Sequence, residues 1–142
     1  MNTISEIGSL LKLIYKKYSL RLLEKLQGRG FNDLRPSFLE LLIVITHEDG
    51  PTLKQVGNAC GLKKQTMTSH VNELVKRGYI NKVQDQKDRR SQRIYLTELG
   101  ERFRMHLLES LEELEVSYRE KIGEITLLQL LNMLKDFHER SS

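Results

Sequence analysis

Along the first part of the chain Ile4, Ile7, Leu11, Ile14, Tyr18 and Leu22 recur at steps of three and four. That spacing lines up one face of an α-helix, and the stripe predicts a first helix of about six turns, ended by Gly28 and Gly30. Pro36 opens a second helix, since a proline at the first helical position loses only an N–H that has no partner there. Its run FLELLIVIT is apolar nearly all round, which places it in the middle of a core. The segment from His47 to Pro51, HEDGP, breaks it. Thr52 and Gln55 have capping-box spacing, each side chain within reach of a backbone donor at the other end of a helical turn, and start a short third helix that Gly61 closes. Met67, Val71 and Leu74 give a fourth helix its inward stripe before Gly78 stops it. Helix, short turn containing glycine, helix is the helix-turn-helix pattern.

Beyond Gly78 the hydrophobic period changes to two. Ile80 and Val83 flank a polar pair, Ile94 alternates with Leu96, and between them lies the turn-prone stretch DQKDRRS. Two antiparallel strands with a projecting hairpin, a wing, are expected. Thr97 then caps a long fifth helix with a stripe of Leu99, Phe103, Leu107, Leu111, Leu114 and Tyr118. Thr126 with Gln129 repeats the capping-box spacing and is expected to start a final helix carrying Leu127, Leu130, Leu131, Leu134 and Phe137. The fold class is mainly α with a small β-wing (α+β). Residues 1–30 form an N-terminal helical arm, 31–97 a winged helix-turn-helix lobe, and 98–142 a C-terminal helical arm. Each arm has more apolar surface than one small lobe can cover, so a homodimer paired through the arms is expected.

Charge sharpens this picture. Residues 63–93 hold nine basic side chains (Lys63, Lys64, Lys76, Arg77, Lys82, Lys87, Arg89, Arg90, Arg93) against three acidic ones, whereas the whole chain is only +4. A basic stripe on a slightly acidic body fits phosphate binding, because neutralised phosphates release condensed counterions; a charged, solvated surface is the plain alternative. On the fourth helix, the face opposite Met67, Val71 and Leu74 carries Gln65, Ser69, Asn72 and Lys76, flanked by Thr66 and Thr68 and preceded by Lys63 and Lys64. Gln and Asn pair bidentately with adenine and Thr touches the thymine methyl, so this face suits a major groove and leans toward A·T pairs. Lys87, Arg89 and Arg90 stand near the wing tip, where arginine fits a narrow minor groove. Asp85 and Asp88 are too acidic for phosphate contact and are expected to brace the arginines or cap the turn.

Signals for other chemistry are sparse. The phosphate-cradling G-x-x-x-x-G-K-[ST], the nucleophile elbow G-x-S-x-G and the zinc motif H-E-x-x-H are missing. His47, His70, His106 and His138 are scattered, which argues against a metal site; no catalytic residues, no metal and no cofactor are expected. With 142 residues, one cysteine and no long apolar run, the chain fits one domain or two lobes on a helical scaffold. It has no membrane span, no secretory signal and no internal disulfide in this reading, and is expected in the cytoplasm. Cys60 reads as a small buried hydrophobe, with oxidant sensing as its alternative.

The stretch from Leu53 to Gly100 resembles the MarR family of bacterial winged helix-turn-helix transcription regulators. The resemblance is most specific over D-x-x-D-R-R and I-x-L-T-x-x-G, here Asp85, Asp88, Arg89, Arg90, Ile94, Leu96, Thr97 and Gly100. It implies that Arg89 or Arg90 enters the minor groove while the helix from Lys63 to Arg77 docks in the major groove. It also implies pairing through the terminal helices. The chain departs from the family at Lys63, where Ser or Thr is common, at Ser69, where a basic residue is frequent, and at His70, where an apolar one is.

The expected function is sequence-specific binding of double-stranded DNA by a homodimer, with two recognition helices about 34 Å apart on a pseudo-palindrome. By resemblance the protein is a repressor released by a small-molecule effector in a crevice beside the dimer helices, for which Tyr15, Phe38 and His47 are guesses. Rival readings are a non-specific architectural DNA protein, a winged protein-interaction module and a redox regulator acting through Cys60.

Overall fold

The computed structural model describes residues 1–142 and contains six helices and one two-stranded sheet, in the order α1 (Thr3–Gly28), α2 (Pro36–Thr46), α3 (Leu53–Cys60), α4 (Lys64–Lys76), β1 (Ile80–Gln84), β2 (Gln92–Leu96), α5 (Glu98–Ile122) and α6 (Glu124–Arg140). Local chemistry accounts for most boundaries. The Asn2 side chain accepts from the Ser5 N–H to start α1. Pro36 sits in the first turn of α2, and the Thr52–Gln55 capping box is complete at the start of α3. Gly61 ends α3 in the left-handed region at φ +66°, a conformation that costs glycine nothing.

Twenty buried apolar residues form a single core. Leu39, Leu42 and Ile45 of α2 lie at its centre, met by Val56, Val71 and Leu74 of the helix-turn-helix, Ile80 and Ile94 of the sheet, and Phe103 and Leu107 of α5. Only Ser19, Leu22, Leu23 and Leu26 of α1 are buried, and α6 buries nothing. The upper half of α1 and all of α6 therefore leave Ile4, Leu11, Ile14, Leu128, Leu131, Leu134 and Phe137 exposed. The lower half of α1 is fastened to α5 by ion pairs: Lys25 meets Glu113 at 2.9 Å, and Arg29 bridges Glu109 and Glu113. These cations hold the Glu113 carboxyl below its ordinary range, Lys25 foremost.

Two expectations are corrected here. Helix α6 begins at Glu124 behind Gly123 and has no side-chain cap, so Thr126 lies inside the helix and caps nothing; Gly123, at φ +87°, makes the break between the long helices three residues before Thr126. Val83 is 48% exposed. It stands an odd number of residues from Ile80, so the pleat turns it to the opposite face, and Lys82 occupies the Ile80 face instead.

Candidate nucleic-acid interface

The sheet is a hairpin in the register Ile80↔Leu96, Lys82↔Ile94 and Gln84↔Gln92. Its root is tied down: Ile94 N–H donates to the Pro51 carbonyl at 2.9 Å, Thr52 bridges Arg93, and the Arg93 guanidinium donates to the Gly50 carbonyl at 2.7 Å. Its tip is closed by two backbone bonds, Asp85 N–H to the Ser91 carbonyl and Ser91 N–H to the Asp88 carbonyl, both 2.9 Å. Side chains of the two aspartates fold onto the same turn. Asp85 accepts from the Lys87 N–H at 3.3 Å and faces Arg93 Nε at 3.5 Å; Asp88 accepts from the Arg90 N–H at 3.1 Å and faces Arg90 Nε at 3.6 Å. Lys87, Arg89 and Arg90 remain exposed, the Arg90 side chain at 95%. A rigid turn thus holds flexible cations outward.

Helix α4 buries Met67, Val71 and Leu74 and turns Lys63, Lys64, Gln65, Thr66, Thr68, Ser69, Asn72 and Lys76 to solvent. Lys63 occupies the N-cap position without a side-chain hydrogen bond, leaving the first N–H groups of the helix open. Thr68 donates its hydroxyl to the Lys64 carbonyl at 2.9 Å, so its methyl and lone pairs remain for an external partner. The other end of the helix is anchored. Arg77 Nε meets Glu73 at 3.1 Å and its guanidinium reaches the Asp33 carbonyl, while the buried Tyr79 donates its hydroxyl to Asp33 at 2.7 Å. Burial, then the Asp33 acceptor, push that phenol far above its ordinary pKa.

Between helix and wing runs an open cleft of about 550 Å³. Of the side chains singled out by sequence for DNA contact, Lys64, Thr68, Asn72 and Arg90 line it; Lys82, counted only within the basic stripe, lines it too, as do Lys54, Asn58 and Gln92, which the sequence reading left out. The signal for Lys82 and Gln92 was present in the strand alternation, since both share the face of Ile80 and Ile94. Lys82 Nζ donates to Asn72 Oδ1 at 2.7 Å, joining wing strand to helix. Two cations of the basic stripe, Arg77 and Arg93, are instead spent within the protein.

The three residues suggested for a ligand crevice fall in different settings. Phe38 is 3% exposed and is core, with His70 against its ring edge at 5.3 Å and the Arg35 and Arg77 guanidinium groups over its faces. His47 lies at the far end of α2, about 14 Å along the axis, its Nδ1 at 2.6 Å from the Ile43 carbonyl. Tyr15 of α1 is half exposed, its ring 6.0 Å from that of Tyr18 and its phenol near Glu40 of α2. Burial, then Tyr15's neighbour Glu40, raise the Cys60 thiol to about 11. No helix is long and apolar enough to cross a membrane, and no three His, Cys, Asp or Glu side chains gather as metal ligands.

Residues 33–91 match the model of the MarR family. No curated protein matches the sequence. Solved structures share the fold over nearly the whole chain. A MarR transcriptional regulator from Methanosarcina mazei Go1 superposes with a TM-score of 0.82 at 22% identity, over 96% of each chain. The PcaV transcriptional regulator from Streptomyces coelicolor, solved with its natural ligand, gives 0.75 at 18% identity, over 100% of this chain and 98% of that one. CouR from Rhodococcus jostii RHA1, bound to p-coumaroyl-CoA, gives 0.73 at 23% identity, over 92% and 90%.

Proposed function

We propose that this chain, whose residues 33–91 match the MarR-family model and whose fold is that of a MarR transcriptional regulator, is a transcription regulator that binds double-stranded DNA sequence-specifically as a homodimer, in the cytoplasm. One observation carries the reading: Lys64, Thr68 and Asn72 of the exposed α4 face and Arg90 of the wing tip line a single cleft. Helix residues from Gln65 to Asn72 read base edges in a major groove, Lys63, Lys64 and Lys76 meet phosphates, and Arg89 or Arg90, with Lys87 beside them, enters the neighbouring minor groove. Asp85 and Asp88 hold the turn that presents them. The unpartnered apolar faces of α1 and α6 support pairing with a second copy, which sets two recognition helices on a pseudo-palindromic operator. The ligand-bound PcaV and CouR structures support a repressor released by a small molecule, the ligand favouring a dimer whose helices are mis-spaced for DNA. No step of this function requires a catalytic group or a metal.

Selection of bound duplexes from a random pool tests the reading. Recovery of a two-fold symmetric site is expected, with affinity falling with salt at a slope near −0.9 per phosphate contacted. Reversing charge at both arginines, Arg89→Glu with Arg90→Glu, is expected to abolish binding while the dimer persists. Equal competition by random duplex makes the protein an architectural binder instead.

A further inference from the structure

The contact between Lys82 and Asn72 decides how Asn72 can read a base. An asparagine amide offers an acceptor on one side and two donors on the other, and free in a major groove it pairs bidentately with adenine, accepting from N6 and donating to N7. Here Asn72 Oδ1 takes a hydrogen bond of 2.7 Å from Lys82 Nζ. An ammonium group has donors only, so while this contact is made the amide oxygen turns toward the wing and the NH2 group away from it. Lys82 itself is half-buried, on the strand face it shares with the fully buried Ile80 and Ile94, and it stands opposite Ile94 in the register. The packed stem limits where the ammonium can go. Both groups line the cleft between α4 and the wing, and its remaining N–H groups make that end of the cleft rich in donors.

We propose that Lys82 is the positioning residue that sets the base preference of Asn72, converting an adenine-reading side chain into a donor pair selective for guanine. Guanine presents two acceptors, N7 and O6, to the major groove, whereas adenine and cytosine each present an exocyclic amine that the pair cannot satisfy. The proposal rests on the DNA-reading function above and changes its expected A·T bias at one base pair of each half-site.

The test uses the full-length protein and the duplex it selects, with every base pair of one half-site replaced in turn. Wild type is expected to prefer guanine over adenine at one position by about fivefold or more. Lys82→Met keeps the apolar stem, frees the amide, and should move the preference at that position alone toward adenine. Lys82→Arg, also donor-only, should retain guanine. Asn72→Asp, on an exposed position and offering acceptors only, should shift the same position to cytosine and serves if the Lys82 variants fold poorly. In an Asn72→Ala background, Lys82→Met should alter no base preference. A Lys82→Met protein that loses affinity equally for all duplexes, with the salt slope reduced by about one, makes Lys82 a phosphate contact and overturns the proposal. Unchanged preferences overturn it as well. A wild-type protein that selects no sequence fails the DNA-reading function itself, an outcome seen before any variant is made.

Discussion

Gly100 is the one glycine whose missing Cβ is demanded by a neighbour inside a helix. A Cβ built there falls 2.2 Å from the Tyr79 carbonyl oxygen and 3.1 Å from Leu96 Cβ, and that carbonyl already accepts from the Thr97 N–H at 3.1 Å. Alanine would gain about 1 kcal/mol of helix propensity but must push backbone out of a tied position. Gly100→Ala is expected to destabilise by about 2 kcal/mol net, read as a lower urea midpoint at unchanged slope. Cys60 makes a second residue-scale prediction. Burial and the nearby Glu40 carboxylate favour the neutral thiol and raise it to about 11, so thiolate is scarce at pH 7 and grows as pH rises. Alkylation by iodoacetamide should accelerate about tenfold per pH unit from 7 to 10 without a plateau; a plateau near pH 8 would return oxidant sensing to consideration.

At the scale of elements, capping shows which sequence signals the fold uses. Thr97 accepts from the Gly100 N–H at 3.1 Å and donates its hydroxyl to the Gly78 carbonyl, fixing the start of α5 against the end of the helix-turn-helix. Thr126 has the same sequence spacing to Gln129 yet lies exposed within α6. Thr97→Ala should therefore cost about 1 kcal/mol or more, and Thr126→Ala less than about 0.5 kcal/mol; equal losses in denaturant titrations would contradict this assignment of caps. The wing has a similar history. Its strands and turn were legible from alternation and from DQKDRRS, but the identity of the inward face was not. Val83 stands an odd number of residues from Ile80, so the pleat separates them, and Lys82 takes the Ile80 face. Periodicity reports which residues share a face; it does not say what the other side of that face will meet.

For the molecule as a whole, the distribution of apolar surface matters more than its amount. The winged lobe closes its own core, while α6 and the upper half of α1 leave theirs in water. A helix that buries none of its residues fully is marginally stable by itself, so the proposed second copy would supply its stabilisation. Leu131, 46% exposed on α6, tests this: Leu131→Glu should convert the dimer to monomer in sedimentation equilibrium. DNA affinity should fall by about a hundredfold with it, because each lobe then binds a half-site alone. A variant that stays dimeric places the interface elsewhere.

Helix ends, the change of period at Gly78, the hairpin and the exposed polar face of α4 all follow from interactions within a few residues, and the amino-acid order determined them. Only the folded chain decided that Arg77 and Arg93 would be consumed inside the protein, that Phe38 would be walled into the core, and that Lys82 would reach across to Asn72. These outcomes join segments that local preference leaves independent, since a side chain's donors and apolar surface are committed only when distant neighbours arrive beside it.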